Sequence, residues 1–406
     1  MLLATDRAAL MLQLVPYLIG KREVSIAEAA EDFQVGQDEM RAMVEKLTVL
    51  GLPGDGGYWQ MSHHPFDIDW TLLDEQVRVA DLLLPAGQVE LVAVDEEYEH
   101  RGLARALMDW AHERSAARGH LLQLMIGIPY FYRLFGYEYA IDIPPARTLL
   151  RAPEVADTPV VRAATDADLP ALVALQDAVQ ARADVAVPHP AARWRAVLHQ
   201  TASQVRVVER DGAVVASARV RSGDAPLVAE AAAVDEPAAL ALLAGVARDA
   251  ADPDGVEVVE RPGTVTSAAW DPYLDAPADN AEQYYVRIPG PAPMLDALRP
   301  LLARRLAGVD AADRPPALVV STFGAHYRLP VTDAGLGLVE VGGPMQDPGE
   351  HRAFGVAPDQ LGAVLLGPRG LPGLGRIRPD VYGNVALGGA LFPPMTADVL
   401  SYYLPW

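Results

Sequence analysis

The sequence predicts a multidomain α/β chain (α+β in its layering). A small helical module precedes two mixed-sheet units, the first incomplete, and an α+β C-terminal domain. Three observations carry this prediction. The chain has 406 residues, more than one ordinary core holds. Residues 1–83 show helical periodicity that ends in a Gly-rich turn. From residue 84 onward, apolar strand runs alternate with amphipathic helix patterns, and the order recurs.

Composition narrows the function classes. No run of 18 apolar residues occurs, so no membrane span or membrane partner is expected. The start, Met1-Leu2-Leu3-Ala4-Thr5-Asp6, lacks a basic n-region. Cysteine is absent, which excludes disulfides and thiolate metal sites and fits a cytoplasmic protein. His63-His64 would diverge on an extended segment and no HExxH spacing occurs, so no metal site is expected. A net charge of −21 repels nucleic acid and attracts cations, polyamines included.

The elements follow in order. Within residues 1–83, a first helix is expected over residues 6–18. Ser25 should cap a second over 26–33, and a third should run over 38–50. Gly51-Leu52-Pro53-Gly54 stops it and Gly56-Gly57 turns a short wing, the winged-helix order. Residues 84–150 contain an apolar strand, Val89 to Val94, a polar loop, and a helix opening at Arg101-Gly102-Leu103-Ala104. A second strand, Leu121 to Ile126, and a Tyr-rich turn, Tyr130 to Tyr137, follow. Residues 151–283 begin with a linker and the strand Val160-Val161-Arg162. Thr165 and Asp168 then form a capping box for a helix over 169–179. A hairpin over 205–209 and 213–220, a strand over 227–234, a helix over 238–250 and a strand over 256–260 complete that segment. Residues 284–406 offer a strand, a helix over 294–306, short strands near 317–341, a helix over 358–366 and a Gly/Pro-rich stretch near 367–379.

Two resemblances sharpen the reading. Residues 1–79 resemble the N-terminal module of WYL-type transcriptional regulators. DNA is then one expected partner, but residues 1–83 hold six Lys/Arg against fourteen Asp/Glu, which favours a structural winged helix. Residues 89–137 resemble the core of a GNAT-family acetyltransferase. The family's signature, Arg/Gln-x-x-Gly-x-Gly/Ala, falls on Glu99, His100, Arg101, Gly102, Leu103 and Ala104; Glu99 departs from it. The resemblance implies acetyl-CoA bound by Val92, Ala93 and Val94 on the strand and by His100, Arg101, Gly102, Leu103, Ala104 and Arg105 at the helix mouth. Free N–H groups there suit a pyrophosphate. It also implies that Tyr132, four residues before Gly136, is the general acid toward the leaving thiolate, a task for a phenol of pKa about 10. The other reading of Tyr132 is a half-buried core aromatic.

The domain order also resembles the enhanced-intracellular-survival type of aminoglycoside acetyltransferase. That order is tandem GNAT units followed by a sterol-carrier-protein-2-like domain. This implies that the α-carboxylate of Trp406 is the base and that the chain forms a homo-oligomer. The acceptor would be a cationic primary amine, aminoglycoside-like or polyamine-like. In the second unit Asp235-Glu236-Pro237 stands where the signature would be, so scaffold is expected there rather than cofactor binding. The competing expectation is a transcriptional regulator or ligand sensor built on a non-catalytic GNAT-derived scaffold.

Overall fold

The computed structural model describes residues 25–33, 35–37, 40, 72–89, 102–155, 160–199, 203–221, 226–250, 255–277 and 282–400. It comprises two compact units. The first is Met1–Glu75 with Pro85–Met125, the second Gln76–Leu84 with Ile126–Trp406. Among the described residues no helix is long and apolar enough to cross a membrane. The expected first helix and the wing lie outside the described residues; of the expected third helix only Met40 is described, and it is helical.

In the first unit, α1 (Ile26–Asp32) starts where the sequence places it. The Ser25 hydroxyl accepts from the Glu28 N–H at 3.1 Å, an N-cap bond. Two strands follow in the chain that the sequence pattern conceals, β1 (Leu72–Val79) and β2 (Leu82–Val89), of which residues 72–75 and 85–89 belong to this unit; Ala80-Asp81 form the turn between them. Pro85 and Gly87 hide β2, because both residues are depleted in strands. Here each has a reason. The Pro85 carbonyl accepts from the Leu121 N–H at 2.8 Å, and a Cβ on Gly87 would lie 2.7 Å from Nδ1 of His120. The expected strand over 89–94 is therefore described only at Val89, the last residue of β2. Helix α2 (Leu103–Ala117) and strand β3 (Leu122–Met125) match expectation, and β3 pairs parallel with β2, Gly87 opposite Gln123.

The second unit opens on a 3₁₀ helix (Phe131–Phe135), then β4 (Glu138–Asp142) and β5 (Ala146–Thr148). Next come β6 (Val160–Ala163), α3 (Leu169–Gln180), β7 (Val185–Ala186) and α4 (Ala191–His199). The expected capping box forms before α3. The Asp168 carboxylate accepts from the Thr165 N–H, and Arg162 holds both its oxygens at 2.8 and 2.9 Å. That guanidinium draws the Asp168 carboxyl down to about 2. Strands β8 (Ser203–Arg210), β9 (Ala213–Arg221) and β10 (Leu227–Ala233), helix α5 (Glu236–Asp249), strand β11 (Glu257–Val259) and helix α6 (Val265–Trp270) complete a sheet of order β5-β11-β10-β9-β8-β6. The Ala-rich face of α5 packs on it closely enough that a Cβ on Gly245 would lie 2.8 Å from Val161.

Strand β12 (Gln283–Arg287) pairs antiparallel with β4, Tyr285 opposite Tyr139. Helix α7 (Pro291–Ala307) precedes a smaller sheet of order β15-β14-β13-β17-β18, made from β13 (Ala317–Ser321), β14 (His326–Thr332), β15 (Gly335–Leu336), β17 (Phe354–Val356) and β18 (Val381–Tyr382). In it β16 (Glu340–Gly342) pairs with β14. Helix α8 (Leu361–Leu366) lies against β4 and β12, with a Gly362 Cβ position 3.0 Å from Val286. Helices α9 (Gly370–Leu374) and α10 (Val385–Leu391) lead to β19 (Ala397–Asp398), which pairs parallel with β7.

A buried polar cluster sits in this unit. Glu230 is 2% exposed in the otherwise apolar β10, where the register with β9 shifts. Arg219 Nε donates to it at 3.0 Å and His189 approaches it at 3.3 Å. Burial alone would raise the Glu230 carboxyl. The charges of His189, then of Arg219 and Arg261, bring it down to about 2. Arg261 donates to both oxygens of Asp398 at 2.9 and 2.7 Å, to the Ala231 carbonyl and to Oε1 of Gln176.

Candidate functional site

Helix α2 opens on Gly102, which takes φ +78°, ψ 10°, the left-handed region. That conformation costs a residue with a Cβ roughly 1–2 kcal/mol, and glycine avoids it. A side chain there would meet nothing within 4 Å, so the backbone conformation alone selects glycine. The first intrahelical bond runs from the Ala106 N–H to the Gly102 carbonyl. The N–H groups of Leu103, Ala104 and Arg105 precede it and have no acceptor within the helix. Among the described residues no side-chain oxygen caps this N-terminus, and its first turn holds no carboxylate. Three backbone donors at the positive end of a fifteen-residue helix suit an anionic group. Ala104 is half-buried and Arg105 exposed. Val92, Ala93, Val94, His100 and Arg101 lie outside the described residues, as does the side chain of Leu103.

Helix α5 in the second unit starts differently. Asp235 caps α5 by accepting from the Ala238 N–H at 2.9 Å, and pairs with Arg210 at 2.6 Å. Pro237 removes one donor. A carboxylate already occupies the place an anion would take.

Beside α2, Ser115, His120 and Asp74 form a hydrogen-bonded chain in the first unit. Ser115 Oγ is 3.1 Å from His120 Nδ1, and His120 Nε2 is 3.1 Å from Asp74 Oδ1, which also accepts from Arg118 at 2.7 Å. The residue types are those of a nucleophilic triad. Ser115 is fully buried, however, so no substrate reaches its hydroxyl, and the set pins the turn after α2 to β1. Burial lowers the His120 pKa below its ordinary 6.5, against the attraction of Asp74. The fold therefore holds the neutral imidazole. Its stabilisation is complete above the unfolded value of about 6.5 and is lost as pH falls below it, because the unfolded chain then binds the extra proton. Urea unfolding midpoints are expected to fall between about pH 8 and about pH 5. His120→Gln should remove part of that slope; an unchanged slope would mean that the imidazole stays solvated.

In the second unit, Tyr132 lies on the 3₁₀ helix Phe131–Phe135 and is 3% exposed. Two left-handed residues bracket it, Tyr130 at φ +69° and Gly136 at φ +83°. Its ring rests on the backbone of Gly127, where a Cβ would lie 2.1 Å from Cε2. Phe131 meets it edge-on at 5.1 Å between centroids and Tyr285 at 5.9 Å. The Tyr285 hydroxyl accepts from the Tyr130 N–H at 2.7 Å and lies 2.7 Å from the Tyr139 hydroxyl. Burial raises the Tyr285 phenol, and also that of Tyr137, which Arg287 partly offsets. Tyr132 is thus a buried aromatic held in one orientation by a glycine, an edge-on pair and a hydrogen-bonded neighbour. Tyr285, which supports the turn from β12, carries no motif and escaped sequence reasoning; only its pairing opposite Tyr139 reveals it. Trp406 lies outside the described residues, but the chain is fixed as far as Leu400, with Val399 and Leu400 fully buried.

Residues 6–83 match the model of the PafC helix-turn-helix domain and residues 69–140 that of the acetyltransferase (GNAT) domain. No curated protein matches the chain. Among solved structures, the GCN5-related N-acetyltransferase from Kribbella flavida is 19% identical, with a TM-score of 0.56 over 81% of this chain and 82% of that one. The GCN5-related N-acetyltransferase from Anabaena variabilis ATCC 29413 is 13% identical, with a TM-score of 0.57 over 81% and 85%. A conserved protein of unknown function from Enterococcus faecalis V583, described as a probable N-acyltransferase, is 14% identical with a TM-score of 0.55 over 81% and 84%. At these identities the likeness is one of fold. The family models place a PafC-type helix-turn-helix domain at the start of this chain and, overlapping its end, an acetyltransferase (GNAT) domain, an acyltransferase domain whose acyl donor is an acyl-CoA.

Proposed function

We propose that the chain is an acetyl-CoA-dependent N-acetyltransferase that acts on a primary amine of a cationic small molecule, of aminoglycoside or polyamine type. The observation that carries this reading is Gly102, held at φ +78° at the uncapped mouth of α2 within the matched domain. Its N–H donors take the pyrophosphate. Val92 to Val94, His100 and Arg101 are assigned to the same cofactor. The acceptor amine attacks the thioester carbonyl directly, so no protein nucleophile is required. The Tyr132 hydroxyl gives a proton to the departing thiolate. The α-carboxylate of Trp406 takes the proton of the attacking ammonium. A net charge of −21 raises the local concentration of cationic acceptors.

Calorimetry with acetyl-CoA tests the reading, and no heat at millimolar cofactor would end it. Gly102→Val places a β-branched residue in the left-handed region and should weaken acetyl-CoA binding by at least about tenfold. Tyr132→Phe should lower kcat by about a hundredfold and leave the KM for acetyl-CoA nearly unchanged. A Tyr132→Phe enzyme of full turnover would return Tyr132 to the core.

The helix-turn-helix match favours a second reading, a regulator or ligand sensor on a GNAT-derived scaffold. Fourteen acidic against six basic residues over 1–83 count against it. Gel shifts at low salt separate the two readings.

A further inference from the structure

A cavity of about 170 Å³ lies in the second unit, and neither Gly127 nor Tyr132 lines it. One wall is β4 with Arg133 and Glu138; the other is Gln360 at the start of α8 and the Gly/Pro-rich stretch that carries Arg369 and Arg378. Its electrostatics run against the rest of the chain. Glu138 is 4% exposed, and its Oε1 accepts from Arg133 Nε and Nη2 at 3.0 and 2.6 Å and from the Tyr139 N–H at 2.9 Å, so Arg133 and Glu138 cancel. The guanidinium groups of Arg369 and Arg378 make no hydrogen bond or ion pair among the described residues. The chain carries 54 acidic residues against 33 basic ones, so two arginines on one cavity without a carboxylate partner are conspicuous.

A second observation points to the same place. Gln360 is 4% exposed, lines the cavity, and its side-chain amide has no hydrogen-bond partner among the described residues. The amide is not among the fully enclosed unpartnered groups of the described residues, so it opens to the cavity and can donate to whatever fills it. The volume holds several waters or one small oxyanion.

We propose that this cavity binds a small oxyanion, a phosphate or carboxylate group, between the Arg369 and Arg378 guanidinium groups, with the Gln360 amide as a further donor. The chemistry is matched. Guanidinium forks donate paired N–H bonds to planar or tetrahedral oxyanions, and an amide NH₂ adds a neutral donor. Glu138 does not repel the ligand with a full charge, because Arg133 neutralises it. Since Arg133 adjoins Tyr132 in the 3₁₀ helix, an occupied cavity would stiffen the segment that carries that tyrosine.

The inference does not depend on acyl transfer, and its test is a binding measurement on the full chain. Inorganic phosphate and, separately, succinate are titrated calorimetrically at constant ionic strength in chloride. Saturable binding of at least one is expected; phosphate alone would assign a phosphoryl ligand, succinate alone a carboxylate ligand. Arg369→Gln with Arg378→Gln should weaken that binding by more than about tenfold, and Gln360→Leu by a smaller factor. Both arginines are exposed and have no side-chain partner among the described residues, so the paired variant should keep the wild-type melting temperature. Gly102→Val should bind the anion as wild type does, which separates this site from the mouth of α2. No saturable binding of either anion, or binding that survives the paired variant, overturns the proposal.

Discussion

Gly127→Ala should lower kcat by about two orders of magnitude, as far as removal of a general acid does, without a matching loss of acetyl-CoA affinity. The added methyl would sit 2.1 Å from Cε2, 2.9 Å from Cδ2 and 3.0 Å from Cζ of Tyr132. Real contacts of that kind do not occur, so the ring must leave. It has little room, since Phe131 meets its edge at 5.1 Å, Tyr285 stands 5.9 Å away, and the residue is 3% exposed. The turn resists adjustment as well, because the Tyr285 hydroxyl holds the Tyr130 N–H at 2.7 Å. Steady-state kinetics with separate titrations of acetyl-CoA and amine provide the measurement, with circular dichroism as the folding control. A folded Gly127→Ala enzyme with unchanged kcat would show that the orientation of Tyr132 is not used in turnover.

Asp398→Ala should destabilise the second unit by about 3–5 kcal/mol, the usual cost of stranding one member of a buried ion pair. Arg261 is 3% exposed and Asp398 7%, and the pair is bidentate at 2.9 and 2.7 Å. The Gln176 and Ala231 acceptors that remain are neutral, and the nearby Glu230 carboxylate is already bonded to Arg219, so the buried guanidinium is left without a direct ionic partner. The loss also frees β19 from one anchor; its pairing with β7 and the Thr396–Asp184 set, with the Thr396 N–H donating at 2.9 Å, remain. Urea unfolding followed by tryptophan fluorescence measures the effect. Pairing the change with Arg261→Met should recover only part of the loss, because Gln176 and Ala231 then lose a donor. A single-variant loss below about 1 kcal/mol would mean that water enters and solvates Arg261.

These expectations separate what is local from what is not. The Ser25 cap, the Thr165–Asp168 box, helices α2, α3 and α5 and the hairpin of β8 with β9 follow from contacts between residues a few positions apart, so composition and spacing reveal them. Strands β1 and β2 do not. Pro85 and Gly87 break the strand pattern, and only the approach of Leu72 and His120, both distant in sequence, explains the glycine. The same holds for β12, which reads as the start of the C-terminal segment but pairs with β4.

The candidate site divides along the same line. Gly102 and Tyr132 are legible because a glycine at a helix mouth and a tyrosine before a turn glycine are local patterns. Gly127 and Tyr285 are not, since their roles arise from a ring packed on a backbone and from a cross-strand neighbour. Glu230 reads as one polar residue in a buried strand. Its partners come from positions 176 to 261, and none follows from its neighbours in sequence.

By itself the sequence determined an α/β chain, the helix mouth at Gly102, the tyrosine turn and an acidic surface. These depend on backbone propensity and on total charge, which neighbouring residues set. The tertiary structure alone decided which glycine seats Tyr132, how buried charges pair, and where Arg369, Arg378 and Gln360 converge. Such contacts join residues far apart in the chain, and their energies depend on burial, which no local pattern encodes.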